Sequence, residues 1–167
     1  MVLTKMELIA ALQDEVRILL HLASKVDRMK LDYRPTEKQR STLELLRYLS
    51  MMGPVIVRAA VSGNFDNELW SAEEAASKER DFDATLAVIA KHRDEYASLL
   101  ANVPDADFAT EIEPFRQKTS RGGFIVRWVL GGLAAYRTQL FCYLKSCGRE
   151  ELSTWDLWQG MDNPEKK

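Results

Sequence analysis

An unbroken apolar stripe at helical spacing, close to the start of the chain, limits the fold more than any other feature. Leu8, Leu12, Leu19, Leu22 and Val26 recur at three-, four- and seven-residue steps, with Ile9, Val16, Leu20 and Ala23 beside them. Side chains at these spacings share one face of a helix, so residues 4–29 read as a helix with a wide buried face. No Gly or Pro interrupts it, and Thr4 stands where an N-cap belongs. A helix with one apolar face needs apolar partners, and the rest of the chain supplies more helices.

Residues 30–40 lack a helical period, and Pro35 disfavours helix at Arg34, so this stretch is a loop. Ser41-x-x-Glu44 is a capping box. It starts a second helix near Thr42 that runs through Leu45, Tyr48, Leu49 and Met52. Gly53-Pro54 is expected to kink this helix, because proline removes a backbone donor and crowds the preceding turn. Ser62-Gly63-Asn64 ends it. Residues 71–80 predict one or two exposed helical turns. A third long helix over 82–102 turns Leu86, Ile89, Tyr96 and Leu99 or Leu100 inward and Lys91, Arg93, Asp94 and Glu95 outward, with Pro104 as its stop signal. Residues 105–117 predict an ordered loop or a short hairpin. A fourth helix over 122–147 is capped by Thr119 or Ser120 and closed by Gly148. The expected fold is all-α: a four-helix bundle with short extra helical segments and an ordered C-terminal tail, one domain over 1–167. The tail, 149–167, is expected to pack on the bundle or on a partner.

Composition removes several function classes. The chain has 167 residues, 46% hydrophobic and 29% charged, with a formal net charge of −2. That suits one globular domain, and its sequence pI near 5.8 argues against nucleic acid as a partner. The basic runs at 38–40 and 91–93 are short and flanked by acids. Cys142 and Cys147 are five apart, off any shared helix face, and form no CxxC motif. They read as reduced, partly buried thiols of a cytoplasmic protein. The first residues lack a signal peptide's pattern, and the apolar stretch 124–136 is interrupted by Arg127 and too short for a bilayer, so no membrane partner is expected.

Local chemistry is sparse. The two histidines, His21 and His92, have no second His or Cys at helical spacing, so each reads as structural or surface rather than as a metal ligand. No nucleophile–base pattern and no Gly-rich phosphate loop is visible. Asp32 and Glu44 are the carboxylates nearest to predicted inner faces, and loop and cap roles account for both.

Two segments are more specific. One is Leu31-Asp-Tyr-Arg-Pro35 followed by the helix start Arg40-Ser-Thr-Leu-Glu44. The other runs from Gly131-Gly132 through Tyr136-Arg-Thr-Gln-Leu140 to Gly148. Together with the ending Thr154-Trp-Asp-Leu-Trp158, they resemble the DinB/YfiT-like family of metal-binding helix bundles. The resemblance implies a four-helix bundle, a homodimer, and a divalent metal on three histidines. It places those ligands at Tyr48, Gly132 and Tyr136, none of which is a histidine. Glycine offers no side chain, and a neutral phenol is a poor ligand. Arg137, Gln139 and Leu140 match the stretch after the last ligand, so the expectation is a conserved scaffold around an altered site.

Tyr48, Gly132, Tyr136 and Trp128 are therefore the candidate small-ligand pocket, with Gly132 leaving room, two phenols as polar handles and Trp128 as an apolar wall. A packed core with satisfied hydroxyls is the competing expectation. No cofactor is expected. The function anticipated is a non-catalytic, small-ligand-binding or stress-related dimeric module. The alternative is a thiol-dependent transferase or hydrolase-like enzyme holding Zn or Ni through His21, His92 or carboxylates. A third expectation gives Trp155 and Trp158 to a protein partner or to the end of the bundle itself.

Overall fold

Each long helix begins where a side chain can satisfy its free N–H groups. The computed structural model describes residues 3–164. α1 spans Lys5–Ala23, and Thr4 and Glu7 close a capping box at its start. α2 spans Thr42–Ser62 behind the Ser41/Glu44 capping box and ends at Gly63, whose φ of 82° lets the chain turn away. α3 spans Asn67–Lys78, capped by Asp66, and α4 spans Phe82–Ala101, capped by Asp81. Then come a 3₁₀ turn at Asp105–Ala109 and two short antiparallel strands, β1 (Glu111–Ile112) and β2 (Thr119–Ser120), paired Glu111 to Ser120 and Ile112 to Thr119. The last long helix is continuous but not uniform. α5 (Arg121–Ile125) passes through a π-helical turn at Val126–Leu130 into α6 (Gly131–Ser146).

α1, α2, α4 and the α5–α6 helix form the bundle, with α3 laid on α2. Leu12, Leu19 and Leu22 of α1 meet Leu45, Leu49 and Met52 of α2, Ile89 and Leu100 of α4, and Phe124 and Leu140 of the last helix in one core. α2 is apolar and long enough to cross a bilayer by length and composition, yet 72% of that window is buried inside the bundle, as the central helix of a packed core is. The all-α bundle with extra short helices matches the expectation. So does the ordered tail as far as Pro164, while the final three residues of the 149–167 segment lie outside the described residues.

Several local expectations change. α1 ends at Ala23, six residues earlier than the stripe suggests, and the chain continues through a 3₁₀ turn at Arg28–Lys30. The exposed turns at 71–80 are the second half of a three-turn helix, α3. Pro54 does not break α2. Proline cannot donate to the carbonyl four residues back, which is Ser50 O, and His92 Nε2 of α4 takes that place at 3.1 Å. Gly53 beside it lets Tyr96, one turn after His92, lie against the helix, so a Cβ there would fall 2.0 Å from the phenol oxygen. The thiols are free, but Cys142 is exposed rather than half-buried.

The tail closes on α1 without its tryptophans. Leu152 and Asp156 are buried, whereas Trp155 and Trp158 are 38% and 62% exposed. The tail backbone is held from the bundle side. Arg17 Nη1 donates to Gln159 O at 2.7 Å, and Arg137 Nη1 donates to Leu157 O.

Candidate functional site

Helix register decides which side chains meet between α2 and α6. The capping box fixes the start of α2, and Tyr48 and Met52, four apart, then share the face turned to α6. On α6, Gly132 and Tyr136 are likewise four apart. The π-helical turn just before Gly131 adds a residue to the helical repeat and sets this register; such turns disrupt the regular ladder locally.

The structure brings Tyr48 and Tyr136 together. Their rings meet edge to face, with centroids 5.1 Å apart. Burial pushes the Tyr48 phenol up to about 12, Tyr136 adds to the rise, and Arg40 opposes it. The phenol is therefore neutral at pH 7 and offers an O–H rather than a phenolate. Gly132 is in the same contact region, but its space is taken. A Cβ at position 132 would lie 3.1 Å from Met52 Cε. Met52 itself is 1% exposed, so its flexible thioether end fills the notch that the missing side chain leaves.

Trp128 sits elsewhere. Its ring packs on Phe115 at 5.1 Å and on Phe124 at 6.4 Å, inside the π-helical turn. A belt of rings links it to Tyr48, Phe115 to Phe65 (5.1 Å), Phe65 to Trp70 (5.5 Å) and Trp70 to Tyr48 (6.2 Å).

The open space lies on the other side of Tyr48. A cleft of about 390 Å³ runs between the 34–40 loop, α2 and α3, lined among others by Arg34, Lys38, Arg40, Arg47 and Tyr48. The Arg40 guanidinium stands 4.0 Å from the Tyr48 ring centroid. Arg34 is paired with Glu44 at 3.2 Å, and Arg47 Nε donates to Arg80 O at 2.7 Å. Among the described residues, Lys38 and Arg40 have no carboxylate partner. The loop that carries them is held firmly at both ends. Thr42 N donates to Tyr33 O at 2.9 Å, Tyr33 packs edge-on to Tyr143 at 5.6 Å, and Tyr143 Oη donates to Arg40 O at 3.0 Å.

The matching residues around the altered positions have structural work. Arg137 Nε and Nη2 grip Glu15 of α1 at 2.6 and 3.1 Å. Gln139 Nε2 donates to Tyr143 Oη at 2.6 Å, which aims that hydroxyl at the loop. His92 is buried, and burial pushes its imidazole down to about 4, so it is neutral and donates from Nε2. His21 is bonded to Asp156 Oδ1 at 3.0 Å, a partner 135 residues away that helical spacing has no means of revealing. Met52, Arg40 and Asp156 are the residues that sequence reasoning did not single out. Of these, Met52 had a usable signal, its place four residues after Tyr48.

A divalent metal does not fit at Tyr48, Gly132 and Tyr136. Glycine offers no side chain, burial keeps the Tyr48 phenol protonated, and Met52 occupies the notch.

No family model and no curated protein matches this chain. Among solved structures it is similar to the DinB-like protein YjoA of Bacillus subtilis, with a TM-score of 0.67 and 16% sequence identity over 87% of this chain and 94% of that one. The chain has the fold of a DinB-like protein.

Proposed function

We propose that this protein is a DinB-like bundle that has exchanged a metal site for a small-ligand site, and that the ligand is a small anion with a planar or aromatic body. The carrying observation is the cleft on Tyr48, where an arginine without a carboxylate partner covers the ring at 4.0 Å and Lys38 lies beside it. A guanidinium in that position offers a fork of donors to a carboxylate or phosphate, and the Tyr48 edge and Met51 give an apolar wall. Acidic residues also line the cleft, Glu37, Glu44 and Glu74, and two of these are already matched by Arg34 and Lys78. The residues around the cleft supply binding and orientation; no nucleophile–base pair stands in it, so the reading is a binding module of the cytoplasm rather than an enzyme. The exposed Trp155 and Trp158 support pairing of two copies as a homodimer.

Thermal-shift measurements with benzoate, salicylate and inorganic phosphate test the cleft. At least one of these raises the melting temperature of the native protein and leaves Arg40→Ala unmoved. Equal shifts in both proteins, or none in the native one, would remove the cleft from consideration.

A further inference from the structure

A second cluster of donor groups lies at the last turn of α1, where the tail folds back. His21 Nε2 is 3.0 Å from Asp156 Oδ1 and 3.9 Å from Asp162 Oδ1, and the three donor atoms lie within 4.8 Å of one another. Donors about 2.1 Å from a tetrahedral metal stand roughly 3.4 Å apart, a separation that the two measured distances bracket. We propose that His21, Asp156 and Asp162 form a site for a divalent transition metal of the zinc type, which fastens the C-terminal segment to α1, and that Lys25 is the cation a metal displaces there.

Asp156 is held as a ligand is held. It is buried, and its other oxygen, Oδ2, accepts from Ser153 N at 2.8 Å and Ser153 Oγ at 3.2 Å. That leaves Oδ1 fixed toward His21, the outer support that orients metal-ligating carboxylates. The cluster is reached from a cleft of about 670 Å³ lined by Lys25, Arg149, Met161 and Asp162 among others. Lys25 Nζ contacts Asp162 Oδ1. Its ammonium already answers the Asp162 carboxylate, and its flexible stem lets it move to solvent when a dication arrives. One imidazole and two carboxylates suit zinc, and three protein donors leave a position for water. None of these residues touches Tyr48 or Tyr136, so this site and the cleft stand or fall separately.

Calorimetric titration of the tag-free full chain with Zn²⁺ decides it, with circular dichroism to confirm that each variant is folded. One Zn²⁺ binds per chain, His21→Ala abolishes binding, Asp162→Asn weakens it at least about 10-fold, and Lys25→Met tightens it several-fold. Asp162 is 75% exposed, so its amide variant tests the ligand without disturbing the core. Binding by Lys25→Met alone supports the site with lysine as its standing occupant. No binding by either the native protein or Lys25→Met overturns the proposal, as does binding that His21→Ala and Asp162→Asn leave unchanged.

Discussion

Pro54 has no N–H for the Ser50 carbonyl, and His92 supplies one from another helix at 3.1 Å. This exchange gives the protein a pH dependence. Burial holds the folded imidazole at about 4, against about 6.5 when unfolded, so between these values the unfolded chain binds more protons. Stability is therefore full above pH 6.5 and falls as the pH drops toward 4, by up to ~3 kcal/mol from this group. Denaturant melts between pH 4 and 8 check this: His92→Asn, which keeps an N–H donor without a proton site, flattens the acid limb. At the altered positions, Tyr136→Phe changes stability by only about 1 kcal/mol, the usual worth of one hydrogen bond, in the same melts. Tyr136→His does not create zinc binding at the core, because one imidazole faces a phenol and a methionine end rather than two further ligands. The pairing of Tyr48 with Tyr136 was legible through the resemblance. The filling of Gly132 was not, because residue type alone does not say where a methionine's flexible end rests. The role of His92 was hidden for a similar reason: the vacancy it fills is a backbone atom of a different helix.

Capping chemistry made the element starts legible, since Thr4, Ser41 and Ser120 each accept from a backbone N–H three residues on. Asp66 and Asp81 do the same for α3 and α4, and overlooking Asp66 is why α3 read as a fragment. The π-helical turn left no mark in the pattern, since it shifts the apolar period by one residue inside an already apolar run. How α2 continues over Gly53-Pro54 was not legible, because proline's effect was judged within its own helix. Packing of α4 decides it. Tyr96 Oη fills the notch at Gly53 and has no hydrogen-bond partner. Gly53→Ala should cost about 1–3 kcal/mol through overpacking, and Tyr96→Phe in the same chain should recover much of it. Tyr96→Phe alone is near neutral or stabilising, because it removes a buried hydroxyl that nothing satisfies. A double-mutant cycle measured by chemical denaturation reads both, and additive losses would contradict the contact.

Across the whole molecule, long-range ties join segments that no local pattern connects. Glu15 of α1 and Arg137 of α6 pair where both are mostly buried, and Arg137 also holds the tail carbonyl of Leu157. Glu15→Ala strands that guanidinium and should cost about 3 kcal/mol, measured by urea melts. The bundle itself was legible because each long helix carries an apolar face, and so was an ordered tail, but the side chains that seat the tail were not. Its two tryptophans drew attention as a partner contact or a seal for the bundle end, yet Leu152 and Asp156 are the side chains that it buries. Pairing through the exposed tryptophans predicts a monomer–dimer equilibrium in sedimentation velocity that Trp158→Ala shifts toward monomer. On the proposed reading, the positions carried by Tyr48, Gly132 and Tyr136 hold no metal, and Tyr48 walls the cleft instead. Titrating His21→Ala with Zn²⁺ and Ni²⁺ tests it most directly, because that variant leaves the bundle core as the place where a metal would have to bind. No binding is the predicted result. One tightly bound metal per chain, lost on Tyr136→Phe, would contradict it.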